Sequence, residues 1–185
     1  QVLLENGSTS YDKLIIATGS KPVVPAIEGI DKGGIFTLKT LEDADKISNY
    51  TGKKAVVLGP GYIGVETSIA LQKRGWEVSL VGGRAGRILR ATFDEKPSLI
   101  LRKLMEDCGI ELVTGERPVE FTGNGYVRSV ITEKREIECN MVLLVLGMRP
   151  EVELAQKAGI EIGNLGGIRV NKQMMTSVED IYACG

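Results

Sequence analysis

Apolar residues in this chain fall into short runs separated by longer amphipathic stretches. Leu14-Ile15-Ile16, Ala55-Val56-Val57-Leu58, residues 78–81, Leu112-Val113 and residues 142–146 are the runs. Those of continuous apolar character predict parallel strands covered on both faces. Between them, residues 37–50 predict a short polar helix with Leu41, Ala44 and Ile47, and a second helical stretch reaches Arg74. Leu101, Leu104, Met105 and Cys108 follow the i, i+3, i+4, i+7 spacing of one buried helix face.

One small pattern occurs three times: Arg74-Gly75-Trp76-Glu77-Val78, Cys108-Gly109-Ile110-Glu111-Leu112 and Ala158-Gly159-Ile160-Glu161-Ile162. Each predicts a helix that stops at a glycine in the left-handed conformation, with the next apolar residue folding back onto the last turn. A strand-like segment then starts at once, which is the helix-to-strand joint of a layered α/β fold. Residues 117–138 differ. Val119 and Phe121 alternate with polar neighbours, Asn124-Gly125 is a hairpin signal, residues 127–131 continue the alternation, and a second polar turn comes near Lys134. The expected fold class is therefore α/β, a parallel sheet carrying an antiparallel β-meander.

Pro22 and Pro25 punctuate the region before the first helix. The expected division is residues 1–20, a linker over 21–35, a self-contained domain over 36–148, and residues 149–185 outside it. At roughly 150 residues per domain, 185 residues allow one domain or one domain with pieces of another. Gln1 lies beside an apolar run and Gly185 directly follows another, so both ends are expected to lie inside a longer chain.

Composition narrows the chemistry. Lysine and arginine total 23 against 24 acids, a net charge of −1, so no overall field favours nucleic acid or anionic lipid. There is no histidine, which excludes Ser-His-Asp and Cys-His catalysis within these residues and any imidazole-dependent zinc site. Cys108, Cys139 and Cys184 lie too far apart in sequence for a C-x-x-C metal or redox pair. Cys108 is expected in the core and Cys184 as a small buried residue. No metal site is expected, and no apolar run is long enough to cross a bilayer. A soluble protein of the reducing cytoplasm is the expectation.

Candidate chemistry is concentrated after the run ending at Leu58. Gly59-Pro60-Gly61-Tyr62-Ile63-Gly64-Val65-Glu66 is a G-x-G-x-x-G loop between a strand and a helix, with a second strand ending near Val81. This context predicts a dinucleotide site. Gly59 serves the tight turn, Gly61 a close backbone approach to a pyrophosphate, and Gly64 close packing of helix on strand. Residues 62–64 then bring the free N–H groups of the helix start. A site that prefers NAD places an acid at the end of the second strand, but this chain reads Val81-Gly82-Gly83-Arg84. Arg84, Arg87 and Arg90 follow with no acid before Asp94. Either they form a solvated basic edge, or guanidinium groups meet a 2′-phosphate. NADPH is favoured over NADH.

With its flanks included, the sequence resembles the FAD-dependent pyridine nucleotide-disulfide oxidoreductases over essentially its whole length. Tyr11 to Pro22 resembles the family's A-T-G segment, through Ala17, Thr18 and Gly19. The glycine loop resembles its second glycine motif, Leu146-Gly147-Met148-Arg149-Pro150 its G-x-R-P exit, and residues 176–185 its late FAD motif, in which Gly185 precedes a flavin-binding aspartate. Residues 36–44 resemble the branch of NADH oxidases, coenzyme A-disulfide reductases and rubredoxin or ferredoxin reductases. Arg84 and Arg90, six apart, resemble the arginine pair of the glutathione reductase type.

The resemblance implies a Rossmann-like NAD(P)-binding domain flanked by fragments of an FAD domain. It implies that Tyr62 gates the nicotinamide pocket, that Glu66 stands near the carboxamide, and that Gly147 admits the nicotinamide half. Ala17, Thr18, Gly19 and Gly185 fall to FAD. Hydride would pass from NAD(P)H to FAD and on to a disulfide, oxygen or an electron-carrier protein, in a full-length homodimer whose redox cysteine, if any, lies outside these residues. The fragment alone is expected to bind NAD(P)H without turnover. A non-catalytic NAD(P)H-sensing module is the rival reading. It accounts for the glycine loop and leaves Ala17-Thr18-Gly19 and residues 176–185 without a purpose.

Overall fold

The computed structural model describes residues 1–84 and 86–185. The chain begins with strands β1 (Val2–Leu4), β2 (Gly7–Thr9), β3 (Leu14–Ile16), β4 (Ser20–Pro22) and β5 (Ile35–Thr37), followed by helix α1 (Leu41–Asn49). Then come β6 (Lys54–Leu58), α2 (Tyr62–Lys73), β7 (Glu77–Val81), α3 (Glu95–Asp107) and β8 (Glu111–Val113). The rest is β9 (Pro118–Thr122), β10 (Ser129–Thr132), β11 (Glu136–Glu138), β12 (Met141–Leu144), β13 (Met148–Pro150), α4 (Glu153–Lys157) and β14 (Ile181–Ala183).

Two compact units divide the chain: residues 22–147, and residues 1–21 together with 148–185. In the unit of residues 22–147 a five-stranded sheet has the order β5-β12-β6-β7-β8, and every neighbouring pair is parallel. Val56, Val57, Leu80, Met141, Val142 and Leu143 are completely buried, as expected of parallel strands covered on both faces. One face packs on α2 and α3 through Leu71, Met105 and Ile110. The other packs on the antiparallel β11-β10-β9 sheet through Phe121, Val130 and Ile137. This is the α/β fold with meander that the sequence implies.

The stretch expected as a linker, residues 21–35, behaves differently from Pro22 onward. Ile27, Ile30 and Ile35 pack into the core beneath the meander, and Ile35 opens the edge strand β5. Proline spacing obscures this, because prolines mark turns without revealing that the isoleucines between them are held.

All three glycine joints take the expected geometry. Gly75, Gly109 and Gly159 have φ of 87°, 84° and 72°. In each joint the following apolar residue donates to the carbonyl five residues back: Trp76 to Leu71, Ile110 to Met105 and Ile160 to Ala155, at 2.9–3.1 Å.

Helix α3 corrects the sequence reading by a fraction of a turn. Its inward face is Ser98, Leu101, Arg102 and Met105, whereas Leu104 is 57% exposed and Cys108 is exposed. Ser98 is tolerated inside because its hydroxyl donates to the Ile88 carbonyl at 2.7 Å, and Arg102 pairs with Glu106 at 2.9 Å. Polar residues on the buried face displaced the apparent apolar stripe.

The other unit is smaller. Here β3 and β14 pair in parallel, β1 and β2 form a hairpin, and β4 lies beside β13. Its core gathers Ile16, Ala155, Ile160, Ile181 and Ala183. Cys184, expected to be buried, is exposed. Strand alternation puts Ile181 and Ala183 inside, and Cys184 lies past the strand's end.

Candidate functional site

The glycine loop lies where strand order reverses: from β6 the chain proceeds outward through β7 and β8, while β12 and β5 occupy the other side. Crevices at the carboxyl ends of strands at such a switch point are where open α/β sheets receive ligands. A cavity of about 500 Å³ opens here, lined by Leu58, Pro60, Val81, Gly82, Gly83 and Arg117 among others.

Each loop glycine has a separate physical reason. Gly59 has φ of 127°, and a Cβ there would stand 2.3 Å from the Val145 carbonyl oxygen. At Gly64 a Cβ would come within 1.8 Å of the Gly59 carbonyl oxygen, so the helix packs against the loop with no room for a side chain. Gly61 is the opposite case. It caps α2 with an extended backbone, and a Cβ would meet nothing within 4 Å, leaving the helix start open to an incoming group. The first turn of α2 carries no acid, so its partial positive charge is not neutralised locally.

Tyr62 and Ile63, in that turn, are 55% and 46% exposed. Glu66 is exposed too and makes no ion pair among the described residues. Its side chain lies off the packed face formed by Gly64, Val65 and Ser68. Gly147 takes φ of 103°, is exposed, and accepts from the Val23 N–H at 2.9 Å.

The loop after β7 leaves the cavity at Gly82 and Gly83, which line it. Leu89 folds back, its N–H donating to the Pro60 carbonyl at 2.8 Å, and Ile88 and Leu89 are buried. Arg84 and Arg90 both remain exposed. Arg90 has no carboxylate partner among the described residues, while Arg84 is held by Glu133 through its Nη2. Glu133 also receives Arg117 Nε at 3.1 Å. Hydrogen bonding from Arg84, then the charges of both guanidiniums, pull the Glu133 carboxyl down to about 2.

In the unit of residues 1–21 and 148–185 a separate cavity of about 250 Å³ is lined by Thr18, Gly19, Cys184 and Gly185, together with Glu151 and Val152. The Thr18 hydroxyl donates to the Glu151 carbonyl at 2.5 Å, and the Glu151 N–H donates to the Gly19 carbonyl at 2.8 Å. Gly19 and Gly185 have φ of 72° and 123°. Ala17 is exposed at the same turn without lining the cavity.

Comparison with known proteins agrees with this geometry. The family model described as pyridine nucleotide-disulphide oxidoreductase matches residues 2–185. The chain belongs to that family. Among its pyridine nucleotide-disulphide relatives is the "NAD(P)H sulfur oxidoreductase (CoA-dependent)" of Pyrococcus furiosus, 38% identical over 98% of this chain and 42% of the relative. A solved NAD-dependent persulfide reductase from A. fulgidus superposes with a TM-score of 0.90 at 35% identity, over 96% of this chain and 34% of that one. An engineered water-forming NADPH oxidase bound to NADPH gives 0.88 at 31% identity, over 96% and 39%. The chain thus spans less than half the length of the relatives it matches.

The structure gathers Gly59, Gly61, Tyr62, Ile63, Gly64 and Glu66 at one helix start, with Arg84 and Arg90 on the adjoining loop. Thr18, Gly19 and Gly185 come together in the other unit. Sequence reading missed Arg117 and Glu133. Both lie in the meander region, where alternation signals strands but gives no hint that a turn returns to the loop after β7.

Proposed function

We propose that this chain is the NAD(P)H-binding portion, with adjoining FAD-binding segments, of a flavin-dependent oxidoreductase, and that it prefers NADPH. One observation carries the reading: an open helix start at the sheet's switch point lies beside a cavity lined by Arg117 and by Gly82 and Gly83, with the exposed Arg84 next in the chain, where an NAD site would hold an acid. The residues fit the group. Gly61 leaves space for a pyrophosphate, Gly59 and Gly64 hold the loop against the sheet, and Tyr62 and Glu66, four residues apart on α2 and both exposed, would serve the nicotinamide half.

When bound, NAD(P)H supplies a hydride and FAD accepts it. The chain's own contribution is to bind, orient and exclude water, and none of these tasks needs histidine. Thr18, Gly19 and Gly185, with the exposed Ala17 beside them, would contact FAD. Electrons would leave toward a disulfide, oxygen or a carrier protein. A homodimeric full-length enzyme in the cytoplasm completes the reading, and no helix among the described residues is long and apolar enough to cross a membrane.

The preference for NADPH draws support from the engineered NADPH oxidase. There an aspartate is replaced by alanine and arginines are introduced at two positions six apart, the first of them directly after that aspartate. In this chain Gly83 is followed by Arg84, with Arg90 six further on. Calorimetric titration of Arg84→Ala/Arg90→Ala tests the assignment. Loss of about tenfold or more in NADPH affinity with NADH nearly unchanged is expected. Equal losses for both cofactors would remove the 2′-phosphate role.

A further inference from the structure

Arg117 lies outside every glycine motif and outside the arginine loop, yet the backbone delivers it to the same place. The Gly82 N–H donates to the Val113 carbonyl at 2.8 Å, and the Gly115 N–H donates to the Gly83 carbonyl at 2.9 Å. Gly83 and Glu116 form an isolated antiparallel bridge. These contacts fasten the segment after β8 to the loop after β7. Glu116, completely buried, is gripped by Arg135 at 2.9 Å and by the Thr132 hydroxyl at 2.5 Å, which fixes the residue next to Arg117. On the far side the Glu133 N–H donates to the Arg117 carbonyl at 3.1 Å.

Arg117 and Arg84 therefore converge from two segments on a single carboxylate oxygen, Oε1 of Glu133. Two guanidiniums on one carboxylate leave one positive charge in excess. Of the two, Arg117 is the residue that lines the 500 Å³ cavity, beside Gly82 and Gly83. Only its Nε is engaged as a side-chain donor among the described residues, so its two terminal nitrogens remain available, and the side chain is 58% exposed. A fixed pair of planar, permanently charged donor forks at a cavity mouth suits a phosphate dianion. A ribose hydroxyl gives it little to neutralise.

We propose that Arg117 is a specificity-determining residue that binds the 2′-phosphate of NADPH together with Arg84, forming a two-guanidinium clamp built from two adjoining segments. This rests on the NADPH reading above.

The test is calorimetric titration of the wild-type protein, Arg117→Ala, Arg117→Lys and Arg84→Ala with NADPH, NADH and 2′,5′-ADP, the last carrying the 2′-phosphate without nicotinamide. Arg117→Ala is expected to weaken NADPH and 2′,5′-ADP by about tenfold and NADH by less than about twofold, with Arg117→Lys retaining part of the difference. Equal weakening of NADPH and NADH, or no change in either, overturns the proposal. If Arg84→Ala is selective while Arg117→Ala is silent, the NADPH reading stands and only the clamp fails. If 2′,5′-ADP does not bind the wild-type protein, both fall.

Discussion

Glu133 serves two arginines with one carboxylate, and its carboxyl is held at about 2, against 4.5 for a free glutamate. Because the folded value is depressed, the stabilisation is fully present above pH 4.5 and fades as pH falls toward 2. A comparison of thermal midpoints for wild type and Glu133→Gln should show a constant gap from neutral pH to about pH 5, closing below it. A gap that widens on acidification would contradict the pairing. Cysteines offer a second check at this scale. Burial pushes the Cys139 thiol up to about 12, whereas Cys108 and Cys184 are exposed. Ellman's reagent at pH 8 should label two thiols promptly and the third only after unfolding. Three fast thiols would mean that Cys139 is not sealed beneath the meander.

At the level of elements, the glycine loop separates packing from binding. Gly64→Ala must push a Cβ into the Gly59 carbonyl, so a loss of about 1–3 kcal/mol in urea unfolding is expected. Gly61→Ala faces open space. Its stability cost should stay under about 1 kcal/mol, while NADPH affinity falls about tenfold as the methyl group occupies the pyrophosphate's approach. The reverse pattern would assign the loop a purely structural role.

The same elements show what a sequence makes legible. β6 and β12 were readable because a short unbroken apolar run between turn residues suits a strand covered on both faces and little else. The joints at Gly75, Gly109 and Gly159 were readable because a left-handed cap favours glycine. The inward face of α3 was not, since Ser98 and Arg102 satisfy their polar groups inside it. Strand β5 was hidden by its shortness and by the prolines before it. Arg117 and Glu133 were silent because their meaning arises only when a meander turn meets a loop about 50 residues earlier in the chain.

For the whole molecule, a net charge of −1 conceals a division of labour. In the proposed reading the arginines near the cleft in residues 22–147 set cofactor choice, and the cavity lined by Thr18, Gly19 and Gly185 belongs to the other unit. Specificity that depends on exposed guanidiniums should be sensitive to salt. Raising ionic strength from 0.01 M to about 1 M shortens the screening length from about 30 Å to about 3 Å, and the advantage of NADPH over NADH should shrink with it. The most direct measurement is therefore a calorimetric titration of the wild-type protein with NADPH and with NADH at low salt. Binding of both, with NADPH tighter, is the expected result. Tighter binding of NADH, or failure to bind either, would contradict the account.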